Sequence, residues 1–266
     1  DYTGKFAGYK EIADTGSLLK LDTTLLNVLS PDMLNAFDEV FMLTYMIDGQ
    51  YQKAYLDYFG FTYKVVGVEC DQDGFRFSDK PDDPPPVDFG KLINLTGKQM
   101  PRSIEEDYYS LSKSWYAKRK YDSKDIRMLR NGLRNFFVTI PNGSAGTRIW
   151  TCYKDDIDKL VDAKTKRYRS NFLQIGARAT NEYRDRRDVA YMANRFIDPN
   201  IMKFFSTRDV VIDKDKFALS EMLQWIWRSA IRDGKPINLY IPSRRMRGLL
   251  IGWIRENGGT VSEQTA

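Results

Sequence analysis

The 266-residue chain contains no histidine and only two cysteines, Cys70 and Cys152, which lie far apart in the sequence. The absence of histidine excludes Ser-His-Asp and Cys-His catalysis and every metal site that depends on imidazole. Two distant cysteines exclude a disulfide framework or a zinc ribbon and are typical of a reducing compartment. Any chemistry must therefore use carboxylates, Lys, Arg, Tyr, hydroxyl groups or carboxylate-bound magnesium, and we assign no residue as a metal ligand.

Long apolar runs and a signal-peptide pattern are also missing, so we expect a cytoplasmic protein with no membrane partner. The chain begins at Asp1 without a methionine, and we expect it to be processed, truncated or trimmed. No phosphate loop of the form Gly-x-x-x-x-Gly-Lys-Ser/Thr is present, because the glycine-rich residues 143–146 lack the Lys-Ser/Thr that should follow. The chain alone should therefore not hydrolyse ATP.

Charge is present in a slight basic excess, with 41 Lys and Arg against 36 Asp and Glu, a net charge of +5. Its distribution is uneven. Residues 71–88 are acidic and proline-rich, which predicts a loop or linker and the best candidate boundary. Residues 113–134 and 164–187 are basic. Local basic patches favour a nucleic-acid or nucleotide partner.

The hydrophobic pattern predicts strands that alternate with helices. Residues 40–47 form a continuous apolar run, which is typical of a strand buried on both faces of a parallel sheet. Such alternation predicts a three-layer α/β fold with a mainly parallel sheet. We expect strands at 40–47, 61–68, 136–140, 148–153, 172–177, 189–193 and 237–241, and helices at 50–59, 154–163, 217–233 and 244–256, with 104–137 mostly helical.

The helix expected over residues 217–233 has polar residues at a spacing of four. Gln224, Arg228 and Arg232 should therefore lie along one face, apart from the apolar face. Arginine offers phosphate oxygens a planar fork of donors, so this face suits polyphosphate recognition. The alternative is an ordinary solvated helix face.

From about residue 148 onward, the order of motifs resembles the second motor domain of superfamily 2 helicases, especially helicase-like proteins of bacteria and phages. The run Trp150-Thr-Cys-Tyr-Lys154 resembles their fourth motif. Ala179-Thr-Asn181, followed by Asp185, resembles the fifth, and Gln224-x-x-x-Arg228-x-x-x-Arg232 resembles the sixth. Trp227 departs from this pattern because the family has glycine there, and the last arginine comes one residue late.

The resemblance implies that ATP and Mg²⁺ bind between two motor domains of one polypeptide, the first of which is largely missing. Residues 1–58 would be its tail, and residues 59–266 would be a second RecA-like domain. The second domain would contain the loop 71–88 and a helical, basic and aromatic insertion at 104–137. Arg228 and Arg232 would act as arginine fingers with Gln224 as a positioning group. The residues that couple the nucleotide site to the nucleic-acid track would be Thr180, Asn181 and Asp185.

Aromatic and basic residues are interleaved in the insertion, from Tyr108-Tyr109 to Arg134, as in proteins that hold single-stranded nucleic acid. The alternative is a helical pair with aromatic residues in its core. Arg244 and Arg245 begin the last helix, where free amides favour an anion, although arginines there oppose the helix dipole. The nucleic-acid candidates, with DNA expected over RNA, are Thr151, Lys154, Trp115, Lys118, Arg119, Lys120, Arg244 and Arg245.

Two functional hypotheses follow. The first is the C-terminal portion of an ATP-dependent nucleic-acid helicase or translocase. The second is a non-catalytic α/β module that binds nucleic acid, which the missing phosphate loop and Trp227 favour.

Overall fold

The computed structural model describes residues 4, 7–21, 24–72, 74–79, 87–96, 100, 102–141, 143–177 and 181–261. The chain forms two compact units. The first comprises Asp1–Tyr63 and Ile197–Phe217, and the second comprises Lys64–Phe196 and Ala218–Ala266. The first unit thus includes a segment that the expected boundary at 58/59 assigns to the second domain. Whether either unit is part of a motor stays a prediction.

The elements of the described residues are short, and each of their helices is too short or too polar to cross a membrane. Short 3-10 helices lie at Ile47–Gly49, Lys154–Asp156, Arg169–Asn171 and Ala230–Asp233. The strands are β1 Leu18–Leu21, β2 Thr24–Asn27, β3 Gly67–Asp71, β4 Gly74–Ser78, β5 Ile93–Leu95, β6 Arg148–Thr151, β7 Asp188–Tyr191 and β8 Ile237–Tyr240. The helices are α1 Ala7–Asp14, α2 Pro31–Asn35, α3 Tyr51–Tyr58, α4 Phe89–Leu92, α5 Arg102–Glu105, α6 Lys113–Ala117, α7 Lys124–Thr139, α8 Ile157–Leu160, α9 Pro199–Ser206, α10 Lys214–Ile226 and α11 Arg244–Glu256.

The first unit has a small aromatic core around α3 and α9. The ring of Tyr58 lies 5.2 Å from that of Phe204, centroid to centroid. At Gly49, a Cβ atom would lie 2.4 Å from the carbonyl carbon of Lys216, so only glycine allows this close approach. The buried members of this core are Ala54, Ile197, Phe204, Phe205, Val210, Ile212 and Phe217.

The prediction of a strand at residues 40–47 is wrong. Residues 40–44 have no regular structure, and the side chain of Leu43 is 96% exposed. An apolar run becomes a buried strand only when neighbouring strands can pair with it. Among the described strands of the first unit, β1 and β2 pair only with each other, in an antiparallel hairpin.

The second unit contains a parallel four-stranded sheet in the order β5-β8-β7-β6. Side chains of successive strand residues point to opposite faces. Ala190 packs in a cluster with Leu133 and Phe136 of α7, whereas the ring of Tyr191 lies 5.6 Å from that of Trp225 in α10. Helices therefore cover both faces of the sheet, which confirms the three-layer α/β fold.

The local expectations succeeded for the last helix and for three strands of the parallel sheet. The helix at 244–256 is confirmed at both ends, and the strands near 150, 190 and 239 are confirmed within two residues. The prediction of a strand at 136–140 is wrong, because Phe136 and Phe137 belong to α7 and continue its apolar face. The strand expected at 172–177 is reduced to a single bridge from Phe172 to Trp150. The strand expected at 61–68 begins only at Gly67, and part of the expected acidic loop is the strand β4.

Candidate nucleic-acid interface

Helix α7 separates apolar from basic residues along its length. Arg127 and Arg134 lie on its exposed side, seven residues apart and therefore on one face. Gly132 lies on the buried side, where a Cβ atom would come within 2.5 Å of the Tyr240 hydroxyl. The helix can thus press closely against β8 while its cations face solvent. Its buried residues are Ile126, Leu129, Gly132, Leu133, Phe136 and Phe137.

A second basic segment, residues 159–169, is held in a defined shape. The indole Nε1 of Trp150 donates a hydrogen bond of 2.7 Å to the carbonyl of Tyr168. Lys166 and Tyr168 have φ angles of 49° and 70°, in the left-handed region, which costs about 1–2 kcal/mol per residue. The backbone amide and hydroxyl of Thr165 donate to Asp162 and lower the pKa of its carboxyl group. Strain of this kind persists only where surrounding contacts fix the backbone.

The two basic segments meet in the folded chain. The amide of Ala163 donates to the Tyr121 hydroxyl at 3.1 Å, and Arg130 Nη1 donates to the Lys159 carbonyl at 3.3 Å. The guanidinium of Arg130 also lies 3.8 Å above the ring centroid of Tyr121. We call the combined face, residues 118–134 and 159–169, the basic surface.

The basic surface concentrates positive charge. Residues 118–134 contain seven Lys or Arg and two Asp, and residues 159–169 contain five Lys or Arg and one Asp. This is a net charge of +9, so the remainder of the chain has a net charge of −4. The exposed cations of the basic surface are Lys118, Lys120, Lys124, Arg127, Arg134, Lys164, Lys166, Arg167 and Arg169.

Three of the expected nucleic-acid residues lie beside one another at the start of this surface. Lys118 and Lys120 are exposed. Arg119 pairs with Asp125 at 2.8 Å, and its guanidinium lies 3.7 Å above the ring centroid of Trp115. The hypothesis that Trp115 stacks on bases is wrong for this structure, because its ring is 4% exposed and belongs to the core.

The other expected nucleic-acid residues lie at or after the carboxyl ends of strands. Lys154 and Arg244 are exposed. Thr151 is completely buried in β6, so the prediction that it contacts nucleic acid directly is wrong. Arg245 is 9% exposed, and its Nη1 donates to the Asn194 side-chain oxygen at 2.9 Å, so its role in this structure is to hold the protein together.

The three residues expected on one helix face do not share a helix. Helix α10 ends at Ile226, and the hydroxyl of Ser229 donates to the carbonyl of Ile226 at 2.7 Å within the turn that follows. Gln224 is exposed on the helix, Arg228 lies in the turn, and Arg232 lies in the 3-10 helix. The expectation of an arginine stripe on a single helix is therefore wrong.

One pair of the expected nucleotide-site residues does come together. Arg232 Nη1 donates to Asn181 Oδ1 at 2.6 Å. Asp185 is exposed in the turn that follows Asn181, and Thr180 lies outside the described residues. Their roles toward a nucleotide stay predictions.

A network of charges at the carboxyl end of the sheet was missed from the sequence. Arg195 pairs with Glu221 at 2.9 Å, and Arg247 donates to both carboxylate oxygens of Glu105 at 2.9 Å. The available signal was the polar pair Asn194-Arg195 directly after the apolar residues 189–193. Ligands of open α/β sheets bind at this end, so the network lies where a site is expected.

Two buried groups near this network, the Cys152 thiol and the Tyr116 hydroxyl, are protonated at neutral pH. Burial raises the pKa of the Cys152 thiol and of the Tyr116 hydroxyl well above their usual values. A nucleophilic cysteine needs its thiolate form, so Cys152 is a core residue. Within the described ranges, no three acidic or cysteine side chains are placed to hold a metal ion.

Comparison with known proteins places this sheet in a family. The family model described as the YonV C-terminal Rossmann-like domain matches residues 87–254, which contain all four strands of the parallel sheet. The SPbeta prophage-derived uncharacterized protein YonV of Bacillus subtilis (strain 168) is 36% identical over 266 residues. The alignment covers 96% of this chain and 61% of that relative, whose prophage origin agrees with the expected phage affiliation. No solved structure matches the chain. The chain therefore belongs to the family of YonV C-terminal Rossmann-like domains.

Proposed function

We propose that this protein binds nucleic acid, with DNA as the favoured form, through the basic surface. The observation that carries the proposal is the meeting of two basic segments, distant in sequence, on one face with a net charge of +9. Cations spaced along a face neutralise backbone phosphates and release counterions, which gives sequence-independent affinity. The half-buried Arg130 and Arg119 are stacked on aromatic rings, which fixes their positions within this face.

The test is fluorescence anisotropy of labelled DNA duplexes between about 50 and 200 mM salt. Replacing four exposed cations, by Arg127→Glu, Arg134→Glu, Lys164→Glu and Lys166→Glu, should lower the affinity more than tenfold. The dependence of affinity on salt should also become less steep, because fewer phosphates are neutralised.

The control reverses the same number of charges, by Lys91→Glu, Arg102→Glu, Lys235→Glu and Arg255→Glu, since all four residues are exposed in the same unit but outside the basic surface. This control should change the affinity by less than about twofold. Equal losses in both variants would show that net charge, and not the basic surface, governs binding, and would reject the proposal.

A second candidate function is the portion of an ATP-dependent helicase or translocase that the motif order resembles. It is supported by the Arg232–Asn181 hydrogen bond, which joins residues of the sixth-motif and fifth-motif resemblances. ATP and Mg²⁺ would bind together with a motor domain elsewhere in the same polypeptide, and a cytoplasmic location stays a prediction. Arg228 and Arg232 would then stabilise charge on the γ-phosphate.

The motor hypothesis is tested by DNA-stimulated ATP hydrolysis in the natural full-length protein. Loss of turnover in Arg232→Ala, with DNA binding intact, would support it. Unchanged turnover in both Arg232→Ala and Arg228→Ala would reject it and leave the binding module.

A further inference from the structure

Two exposed tyrosines form an aromatic surface at the carboxyl end of the parallel sheet. The side chains of Tyr108 and Tyr109 are 54% and 61% exposed. Their ring centroids lie 5.1 Å apart, and the ring of Phe196, which follows β7, lies 5.9 Å from Tyr108 and 5.4 Å from Tyr109. We call these three rings the aromatic platform.

Buried polar contacts fix the backbone under this platform. The side-chain amide of the fully buried Asn194 donates to the carbonyls of Tyr108 and Ser110 at 2.9 and 3.0 Å. Its backbone amide donates to the carbonyl of Leu111, which has a φ angle of 62° and is itself fully buried. The backbone that bears the tyrosines is therefore held in place before any ligand arrives, so little backbone entropy is lost on binding.

Cations surround the platform. The guanidinium of Arg245 lies 4.5 Å from the ring centroid of Phe196 and 5.4 Å from that of Tyr108, and the adjacent Arg244 is exposed. The Tyr153 hydroxyl donates to the Asn194 carbonyl at 2.6 Å, which places the exposed Lys154 at the same end of the sheet. An apolar protein partner would have to cover Arg244 and Lys154, whereas a nucleotide would supply these two exposed cations with phosphates.

We propose that Tyr108 and Tyr109 stack on unpaired bases, so that the protein binds single-stranded nucleic acid in preference to duplex. The proposal rests on the proposed nucleic-acid function and adds a second site, distinct from the basic surface, that reads base planes. Aromatic rings bind every base through its π face, so the site is tolerant of sequence. A duplex hides its base faces in the helical stack and can use only the phosphate contacts.

The test compares a labelled oligothymidylate of about 15 nucleotides with a blunt duplex of equal length. Tyr108→Ala with Tyr109→Ala should weaken single-strand binding about 10- to 100-fold and leave duplex binding within about twofold. Tyr108→Phe with Tyr109→Phe should keep the affinity, because the rings remain. Phe75→Ala removes an 81% exposed ring from the β3–β4 hairpin and should change nothing.

The outcomes separate this proposal from the one on which it rests. If the alanine pair binds both probes like the wild type while the basic-surface variant loses affinity, the platform is rejected and the nucleic-acid function stands. If the wild type binds neither probe, both proposals fail. If Tyr108→Leu with Tyr109→Leu retains full affinity, the rings act as apolar area and base stacking is rejected.

A probe with abasic sites gives the same answer without a change to the protein. The wild type should bind it as weakly as the alanine pair binds the intact strand, and the alanine pair should lose nothing more. Equal affinity of the wild type for abasic and intact strands would overturn the proposal.

Discussion

The two ends of the parallel sheet both contain partly buried polar networks, but the networks connect different parts of the protein. At the amino end, Asn94 donates to Asn238 at 2.9 Å, and Asn238 donates to Asp188 at 3.0 Å. Thr147 completes this chain with a hydrogen bond of 2.5 Å to the other Asp188 oxygen. These bonds join neighbouring strands in register.

At the carboxyl end, the network uses long guanidinium side chains and reaches the loops. Arg245 connects Asn194 to α11 and lies beside Tyr108, and Arg195 connects β7 to Glu221 of α10. The amino end therefore fixes strand register, whereas the carboxyl end positions exposed rings and cations. Similar polar networks can therefore stabilise a sheet or build a surface, depending on the reach of their side chains.

The largest effect is expected from a substitution that breaks the amino-end network. Asp188→Ala removes the acceptor of Asn238 and Thr147 at a fully buried position, and we expect a loss of about 3 kcal/mol in the free energy of unfolding. Urea denaturation measures it. Asp185→Ala, at an exposed turn, is the control and should change stability by less than about 0.5 kcal/mol. Equal effects of the two changes on stability would contradict the structural role of the amino-end network.

A smaller loss is expected at the carboxyl end. Arg245→Ala removes hydrogen bonds of 2.9 and 2.8 Å to Asn194 and to the Arg195 carbonyl, and should cost about 2 kcal/mol. Its exposed neighbour provides the control, because Arg244→Ala should leave the urea midpoint nearly unchanged. A larger loss from Arg244→Ala than from Arg245→Ala would reverse the assignment of their roles.

Two helical glycines should respond to alanine with opposite signs. At Gly132, the new Cβ would meet the Tyr240 hydroxyl at 2.5 Å, so overpacking should exceed the gain in helix propensity by about 1 kcal/mol. At Gly248, in α11, an added Cβ would have no atom within 4 Å beyond its chain neighbours and the backbone of its own helix, so alanine should stabilise by about 0.5–1 kcal/mol. Thermal unfolding of both variants checks this, and stabilisation of Gly132→Ala would show that α7 can move away from β8.

The smallest expected effect is a loss of stability at alkaline pH, caused by Cys152 near the carboxyl end of the sheet. Burial raises the pKa of Cys152 in the folded state, so the unfolded chain loses this proton first. The protonated thiol contributes fully to the free energy of unfolding below the unfolded pKa of about 8.5. As pH rises from 8 to 9, the free energy of unfolding falls by about 0.7 kcal/mol through this group. Cys152→Ala should remove this part of the slope in urea titrations at the two pH values. An unchanged slope would mean that other groups govern the alkaline loss.

The α/β class was predictable because buried strands and amphipathic helices leave local patterns. The apolar face of α11, from Met246 to Ile254, and the apolar runs of β7 and β8 identify their elements without knowledge of their neighbours. Prediction from the local pattern failed at residues 40–47, because an apolar run contains no information on whether another strand is available to pair with it. It also failed at Gln224, Arg228 and Arg232, because a spacing of four is meaningful only if the helix continues.

The candidate site shows the same division. The sequence by itself determined the absence of histidine chemistry, the alternation of strands and helices, and the two stretches in which cations accumulate. Only the tertiary structure decided that those stretches form one basic surface, that Trp115 and Thr151 are buried, and that Tyr108 and Tyr109 lie beside Phe196. Composition and periodicity are local properties of the chain, whereas a surface is made by residues that packing brings together from distant positions.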